Sequence, residues 1–396
     1  MKLSLKYRLC LLMYLQFFVW GSWYVTAGTY FLETLQFSGR EVGLIYGSSA
    51  IAALVSPFLT GYLADRYFSI EKILTVLQFF GGIMLYVLAH IDQFIYFYPA
   101  ILLYMLIFLP SFSLTNSISF YHLTDTKTDF PRVRVFGTIA WITAGLLIGS
   151  LDIEHKNTPM LIASGCSFIL GLYSLTLPSS KPSISKSKTI KEVLLSEELN
   201  ALFHDRGFKV MVISLALICI PAAYYYSFVN PFLNEIGVNN AAGKMALGQL
   251  TEILVMVSLP VLFRMFSLRW IIFTGLFCWG IRYLFLTLGA SYNSEWLCLL
   301  AVSLHGFAYV FAILSAQILI DIRVPSELRS TAQGFFSLVT LGMGAFLGSY
   351  FAGETVQFYD LGNGLHDWPM IWFIPGVFGL FVAFLFLIKY KRISVE

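Results

Sequence analysis

A chain of 396 residues that is 58% hydrophobic and only 12% charged, with a mean hydropathy of +0.77, lacks the charge to coat a water-soluble globule of its size. Its net charge of +3 gives no argument for a nucleic-acid partner, and the solvent that suits such a composition is the bilayer. A helix needs about 20 apolar residues to cross the hydrocarbon core. In chain order, such runs predict spans over 10–33, 41–63, 72–91, 95–123, 132–151 and 159–177, then over 208–233, 242–264, 270–289, 295–321, 328–352 and 369–388. Lys2, Lys6 and Arg8 precede the first run as they would in a signal peptide, but no small-residue cleavage site follows, so an uncleaved first helix is expected. Asp92-Gln93 and Ser291-Tyr292-Asn293-Ser294 are the short polar turns after the third and ninth spans.

The basic residues orient these spans. With both termini cytoplasmic, 20 of the 25 Lys and Arg residues fall in cytoplasmic segments, while Arg40, Lys156 and Lys244 fall outside and Arg134 and Arg282 lie at or within spans. This positive-inside split predicts a multi-pass protein of the cell (inner) membrane with an even number of spans. The polar, Ser- and Lys-rich stretch from Pro178 to Arg206 falls after the sixth span. It divides the chain into a six-helix bundle over 1–177, a cytoplasmic linker over 178–207 and a second six-helix bundle over 208–396. That all-α, twelve-helix layout is the one used by major facilitator transporters. The run Lys186-Ser-Lys-Thr-Ile-Lys191 could bind anionic lipid, but the simpler reading is a solvated linker. Cys10, Cys166, Cys219, Cys278 and Cys298 all sit in apolar runs without a CxxC pair, and are read as buried small hydrophobes rather than disulfide partners or metal ligands. No cofactor is implied.

Gly61-Tyr-Leu-Ala-Asp65-Arg66 at the end of the second span resembles the GxLADR signature of the major facilitator superfamily. The resemblance makes Gly61, Asp65 and Arg66 a conformational latch. The second half carries weak echoes of the first: Pro260 and Arg264 of Pro57 and Asp65-Arg66, and Pro325, Arg329 and Gly334 of Pro131, Arg134 and Gly137. Gly342, Gly344, Gly348 and Gly353 give the eleventh span a small-residue face suited to tight helix contact.

Ionisable groups inside spans carry the functional signal, because a charge at mid-bilayer costs roughly 2.5–3.5 kcal/mol even on lenient scales and tends to face a cavity. Glu252 is the clearest case, with Gln249 three residues earlier on the same helix face. Arg134, Thr138 and Trp141 follow at i, i+4 and i+7 in the fifth span. His305 and Tyr309 share a face of the tenth span, and Tyr226 and Asn230 a face of the seventh. Arg282 lies in the ninth span, where it could act in the cavity or instead be a structural partner for an acid or for backbone carbonyls.

Several runs resemble the bacterial nucleoside permeases, the nucleoside:proton symporters of the major facilitator superfamily. They are Leu15-Gln-Phe-Phe-Val-Trp-Gly-Ser-Trp23, Asn116-Ser-Ile-Ser-Phe-Tyr121, and Thr128-Asp-Phe-Pro131 with Arg134, Gly137-Thr138-Ile139 and Trp141. Gln249 and Glu252 with Pro260, Arg329-Ser-Thr-Ala-Gln-Gly334 and Asp367-Trp368 complete the series in family order. The resemblance implies proton-driven nucleoside uptake by alternating access to a cavity between two six-helix bundles, in a chain that works as a monomer and is not an enzyme. It points to Arg134, Thr138, Trp141, Gln249, Glu252 and Tyr309 as cavity-lining groups, and Tyr226 and His305, on the inner faces of the seventh and tenth spans, complete the expected substrate-binding set. The sequence departs from the family pattern at Val310, where an acid is usual, at Tyr226, where an amide is usual, and at His305, where an aromatic is usual. Without the acid, the proton falls to Glu252 or to His305, whose ordinary pKa of about 6.5 suits a relay; the other outcome is an uncoupled facilitator. A sugar or other polar metabolite as cargo is the alternative on the same fold. A membrane-embedded enzyme or receptor is disfavoured because HExxH, GxSxG and paired-acid motifs are missing from the sequence.

Overall fold

The computed structural model describes residues 3–64, 69–180, 205–323 and 329–390. These residues form twelve long helical segments. The first six are α1 (Leu3–Gly21), α2 (Gly39–Ala64), α3 (Ile70–Leu88), α4 (Phe94–His122), α5 (Thr126–Ser150) and α6 (Thr158–Leu175). The next three are α7 (Arg206–Glu235), α8 (Ala241–Met265) and α9 (Leu268–Ser291). Segment α10 runs in four pieces, Glu295–Ser303, His305–Ala308, a π-helical Tyr309–Leu314 and Ser315–Arg323. Segment α11 runs in three, Arg329–Ser337, a π-helical Leu338–Gly344 and Ala345–Phe358. A two-stranded antiparallel hairpin, β1 (Asp360–Gly362) with β2 (Leu365–His366), precedes α12 (Trp368–Lys389). Among the described residues, ten helices are long and apolar enough to cross a membrane.

The sequence expected smooth spans, and the chain departs from that in three of them. After Gly21, α1 gives way to a turn, then to Ala27–Thr29 and a π-helical Tyr30–Thr34. The π turns in α10 and α11 likewise admit one extra residue per turn, which re-aims the side chains that follow. In α10 the Ser315 hydroxyl donates to the Val310 carbonyl five residues back, at 3.0 Å. The expected linker falls largely outside the described residues, as do Asp65 and Arg66 of the latch motif.

The described chain gathers into two compact units. One comprises Met1–Phe37, Ile51–Ser187 and Asn239–Ala246, and the other Ser38–Ala50, Lys188–Val238 and Leu247–Glu396.

Within the first unit, a chain of buried amides and hydroxyls ties four helices together. Gln16 of α1 donates to Ser111 of α4 at 2.7 Å, and Gln78 of α3 donates to the Gln16 carbonyl oxygen at 3.0 Å. Ser167 of α6 donates to the Gln78 side-chain oxygen at 2.6 Å, and Thr115 of α4 to Gln16 at 3.3 Å. In an apolar medium no water competes for these groups, so each must find a protein partner. Glu154, also buried, accepts from the Ala242 backbone N–H at 2.9 Å and satisfies one of the exposed amides at the start of α8.

Within the second unit, small residues set the helix crossings. A Cβ on Gly43 of α2 would run into the Ser349 carbonyl and the Gly353 Cα of α11, so these helices meet backbone to backbone. Beside that contact Arg40 donates twice to Glu354, at 2.6 and 2.9 Å. At the far end of α7, Glu235 accepts from the His366 backbone and ring nitrogens, both at 2.8 Å, which anchors the hairpin.

Candidate functional site

In the first unit, α5 turns Val135, Phe136, Ile139, Leu146 and Leu147 outward and buries Val133, Gly137, Ala140, Ala144 and Ile148 against its neighbours. Arg134, Thr138 and Trp141 run along the flank of that buried face, each partly covered. The Arg134 guanidinium lies over the Phe17 ring of α1, 4.0 Å from its centroid. One helical turn on, Trp20 meets Trp141 edge-on with centroids 5.7 Å apart and packs on Phe112 of α4 at 4.6 Å. Gly21 makes room for this: a Cβ there would come within 3.3 Å of the Trp141 ring and backbone. Tyr14 of α1 and Thr143 of α5 share a hydrogen bond of 2.8 Å. The expected trio therefore forms one surface, with a cation at one end and indole faces at the other.

In the second unit, α8 shows Leu247, Leu250, Leu254, Val257 and Val261 outward at intervals of three and four residues, a lipid-facing stripe. Gly248, Glu252, Val255 and Leu259 repeat at the same intervals on the opposite face, where Val255 and Leu259 are buried. Glu252 thus points inward, with Gln249 beside it one turn earlier. The crossing of α8 and α10 holds it there. A Cβ on Gly306 would collide with the backbone of Thr251 and Glu252, and Thr251 Oγ1 donates to the Ser303 carbonyl at 2.7 Å.

Around this crossing sits an aromatic cluster. The His305 ring lies parallel to Tyr225 and Tyr309, with centroids 5.4 and 6.1 Å away, and perpendicular to Tyr226 and Trp279, both at 5.9 Å. Tyr226 lies within electrostatic reach of Glu252, Tyr309 and Arg282. Arg282 is wholly buried, and its partner is not the acid or the carbonyl expected. Its Nη1 bonds His305 Nδ1 at 3.1 Å, and its guanidinium covers the Tyr225 ring at 3.7 Å and lies 5.0 Å from the Trp279 centroid. Ring faces do part of a carboxylate's work, worth about 2 kcal/mol when desolvated.

Val310 takes no part in this cluster. It packs with Val255, Leu259, Ile271 and Phe311 in an apolar core, where an ionised side chain would lie buried without a partner. Two features escaped sequence reasoning: the Gln16–Gln78 network and the pairing of Arg282 with His305. A signal for the first existed, since a glutamine inside an apolar span must find a hydrogen-bond partner.

A family model described as nucleoside H+ symporter matches residues 1–394. The chain belongs to the nucleoside H+ symporter family. It is 36% identical to YegT of Escherichia coli (strain K12), named as a candidate nucleoside transporter, over 98% of this chain and 94% of that one. It is 29% identical to the xanthosine permease of the same organism, over 98% of this chain and 96% of the permease. A crystal structure of a variant of the nucleoside transporter NupG superposes with a TM-score of 0.89 at 29% identity, covering 98% of this chain and all of that one. The symporter thus has the twelve-helix major facilitator fold, is a multi-pass membrane protein, and couples nucleoside movement to protons.

Proposed function

We propose that the two clusters are the nucleoside-binding groups of their units: Arg134, Thr138 and Trp141 in the first, and Tyr226, Gln249, Glu252, His305 and Tyr309 in the second. A nucleoside offers a flat base, ribose hydroxyls and a polar base edge. Base–aromatic stacking is worth about 1–3 kcal/mol, and Trp141, Tyr226 and Tyr309 have the faces for it. Thr138, Gln249 and Glu252 offer partners for hydroxyls and base edges. Arg134 is already oriented by the Phe17 face.

In this reading Glu252 carries the coupled proton. The observation that supports it is the placement of Glu252 on the inner face of α8, at a backbone crossing with α10 and within electrostatic reach of Tyr226. Val310, where the family pattern has an acid, is apolar and packed. His305 is a poor carrier, because a donor-only guanidinium already occupies its Nδ1. The same reading places the chain in the inner membrane as a monomer in contact with lipid, with cytoplasmic termini. Its bundles span 1–177 and 208–396 and are joined through 178–207, and Gly61, Asp65 and Arg66 act as the conformational latch. Glu252→Gln in proteoliposomes should lose gradient-driven uridine accumulation while keeping uridine exchange. Undiminished accumulation would remove Glu252 from this role.

A further inference from the structure

We infer that Arg282 locks His305 as the neutral Nε2–H tautomer, so that His305 recognises a hydrogen-bond acceptor on the nucleoside and Arg282 is its positioning residue. A guanidinium has five N–H donors, no acceptor, and does not lose its proton in proteins. A hydrogen bond of 3.1 Å from Arg282 Nη1 therefore requires a lone pair on His305 Nδ1. The ring hydrogen must then sit on Nε2. A second proton on Nδ1 would both break this bond and set two cations side by side, with Arg282 fully buried and His305 only 3% exposed.

The surroundings also fix the ring in space. Tyr225 and Tyr309 lie parallel to it, Tyr226 and Trp279 stand perpendicular to it, and Gly248 leaves it only narrow clearance, since a Cβ there would come within 3.1 Å of the His305 Cβ. The charged and titratable groups around it are Arg282 from α9, Tyr225 and Tyr226 from α7 and Tyr309 from its own segment, and the α8 turn that carries Glu252 meets the backbone of the next residue, Gly306. With Nδ1 taken by Arg282, Nε2 is the ring atom left to donate to a ligand. A nucleobase carries the complement in its carbonyl oxygens and ring nitrogens. A site built around a fixed donor rejects analogues lacking the acceptor far more strongly than an apolar pocket rejects a change of size.

This inference rests on the nucleoside-binding reading above, and two measurements keep their failures apart. The first needs no substrate. The chain has six histidines, so selective ¹⁵N-histidine labelling of the full-length protein, with His305→Gln and His305→Phe spectra for subtraction, isolates the His305 signals. The expected pattern is one protonated and one unprotonated ring nitrogen, constant from about pH 5 to 8. In Arg282→Met the bond that selects the tautomer is gone, and both ring nitrogens should move to intermediate shifts as the two neutral tautomers exchange. The second measurement is uridine uptake. His305→Phe keeps the stacked ring but loses the donor, and KM should rise about tenfold with the maximal rate and its pH dependence retained. His305→Gln, whose amide N–H replaces Nε2–H, should recover most of the affinity. Conversion of His305 to imidazolium within that range in the wild-type protein, or an unchanged KM in His305→Phe, overturns the inference. If the wild-type protein takes up no nucleoside, the binding reading fails and the recognition half of the inference falls with it, while the spectra still decide the tautomer.

Discussion

Gly306→Ala adds a single methyl group at the crossing that positions Glu252. The added Cβ would meet the Thr251 carbonyl carbon and the Glu252 amide nitrogen, with the Glu252 Cα at 2.7 Å, whereas ordinary contact begins near 3.4 Å. All three atoms are backbone, so no side chain can swing aside. The helices must move apart by about 1 Å, and overpacking of this kind typically costs about 1–3 kcal/mol. The shift also stretches the hydrogen bond of 3.3 Å from the Gly306 N–H to Thr251 Oγ1 and separates Glu252 from the His305 cluster. Purified Gly306→Ala should melt several degrees below wild type and transport uridine at a severely reduced rate. Gly165→Ala in α6 is the matched control, since a Cβ there has no neighbour within 4 Å. It should melt at or slightly above the wild-type temperature, because alanine is the better helix former. Wild-type melting and uptake in Gly306→Ala would refute the claim that this crossing sets the position of Glu252.

The buried amide chain makes a second prediction. Gln16→Leu strands the Gln78 amide N–H and Thr115 Oγ1, whereas Gln78→Leu leaves Ser167 its second bond to the Gln78 carbonyl at 2.9 Å, so Gln16→Leu should be the more destabilising in thermal unfolding. A double-mutant cycle on the pair should give a coupling near 0.6 kcal/mol and no more than about 1.7, the range for side-chain hydrogen bonds within membranes. Trp141→Ala should raise KM for uridine by roughly one stacking contribution, about 1–3 kcal/mol or 5- to 150-fold, while Trp141→Phe should keep most of the affinity. Equal effects of the two would mean that Trp141 serves packing against Trp20 rather than the base.

The twelve spans were legible because their signal is coarse: length and apolarity bound each one, and the helix ends fall within a few residues of the polar turns. Glu252 was legible for the same reason, as a lone carboxylate in an apolar run whose opposite face is a stripe of leucine and valine. The interruptions were not. The π turns at Tyr30, Tyr309 and Leu338 occupy runs as apolar as their neighbours, and tertiary packing selects them. Arg282 and His305 stand 23 positions apart on different helices. Periodicity within one helix says which residues share a face, but not which face of a second helix will meet it. Val310 showed in the sequence as a departure from the family pattern; that it belongs to an apolar core with Val255 and Ile271 required the packing of α8, α9 and α10.

Reconstitution of the full chain into proteoliposomes, with uridine uptake followed with and without an inward proton gradient, tests the account most directly. Accumulation above equilibrium that depends on the gradient and is lost in Glu252→Gln is the predicted result, and it would place coupling on Glu252 despite Val310. Uptake that only equilibrates, with or without the gradient, would contradict it and leave a nucleoside facilitator.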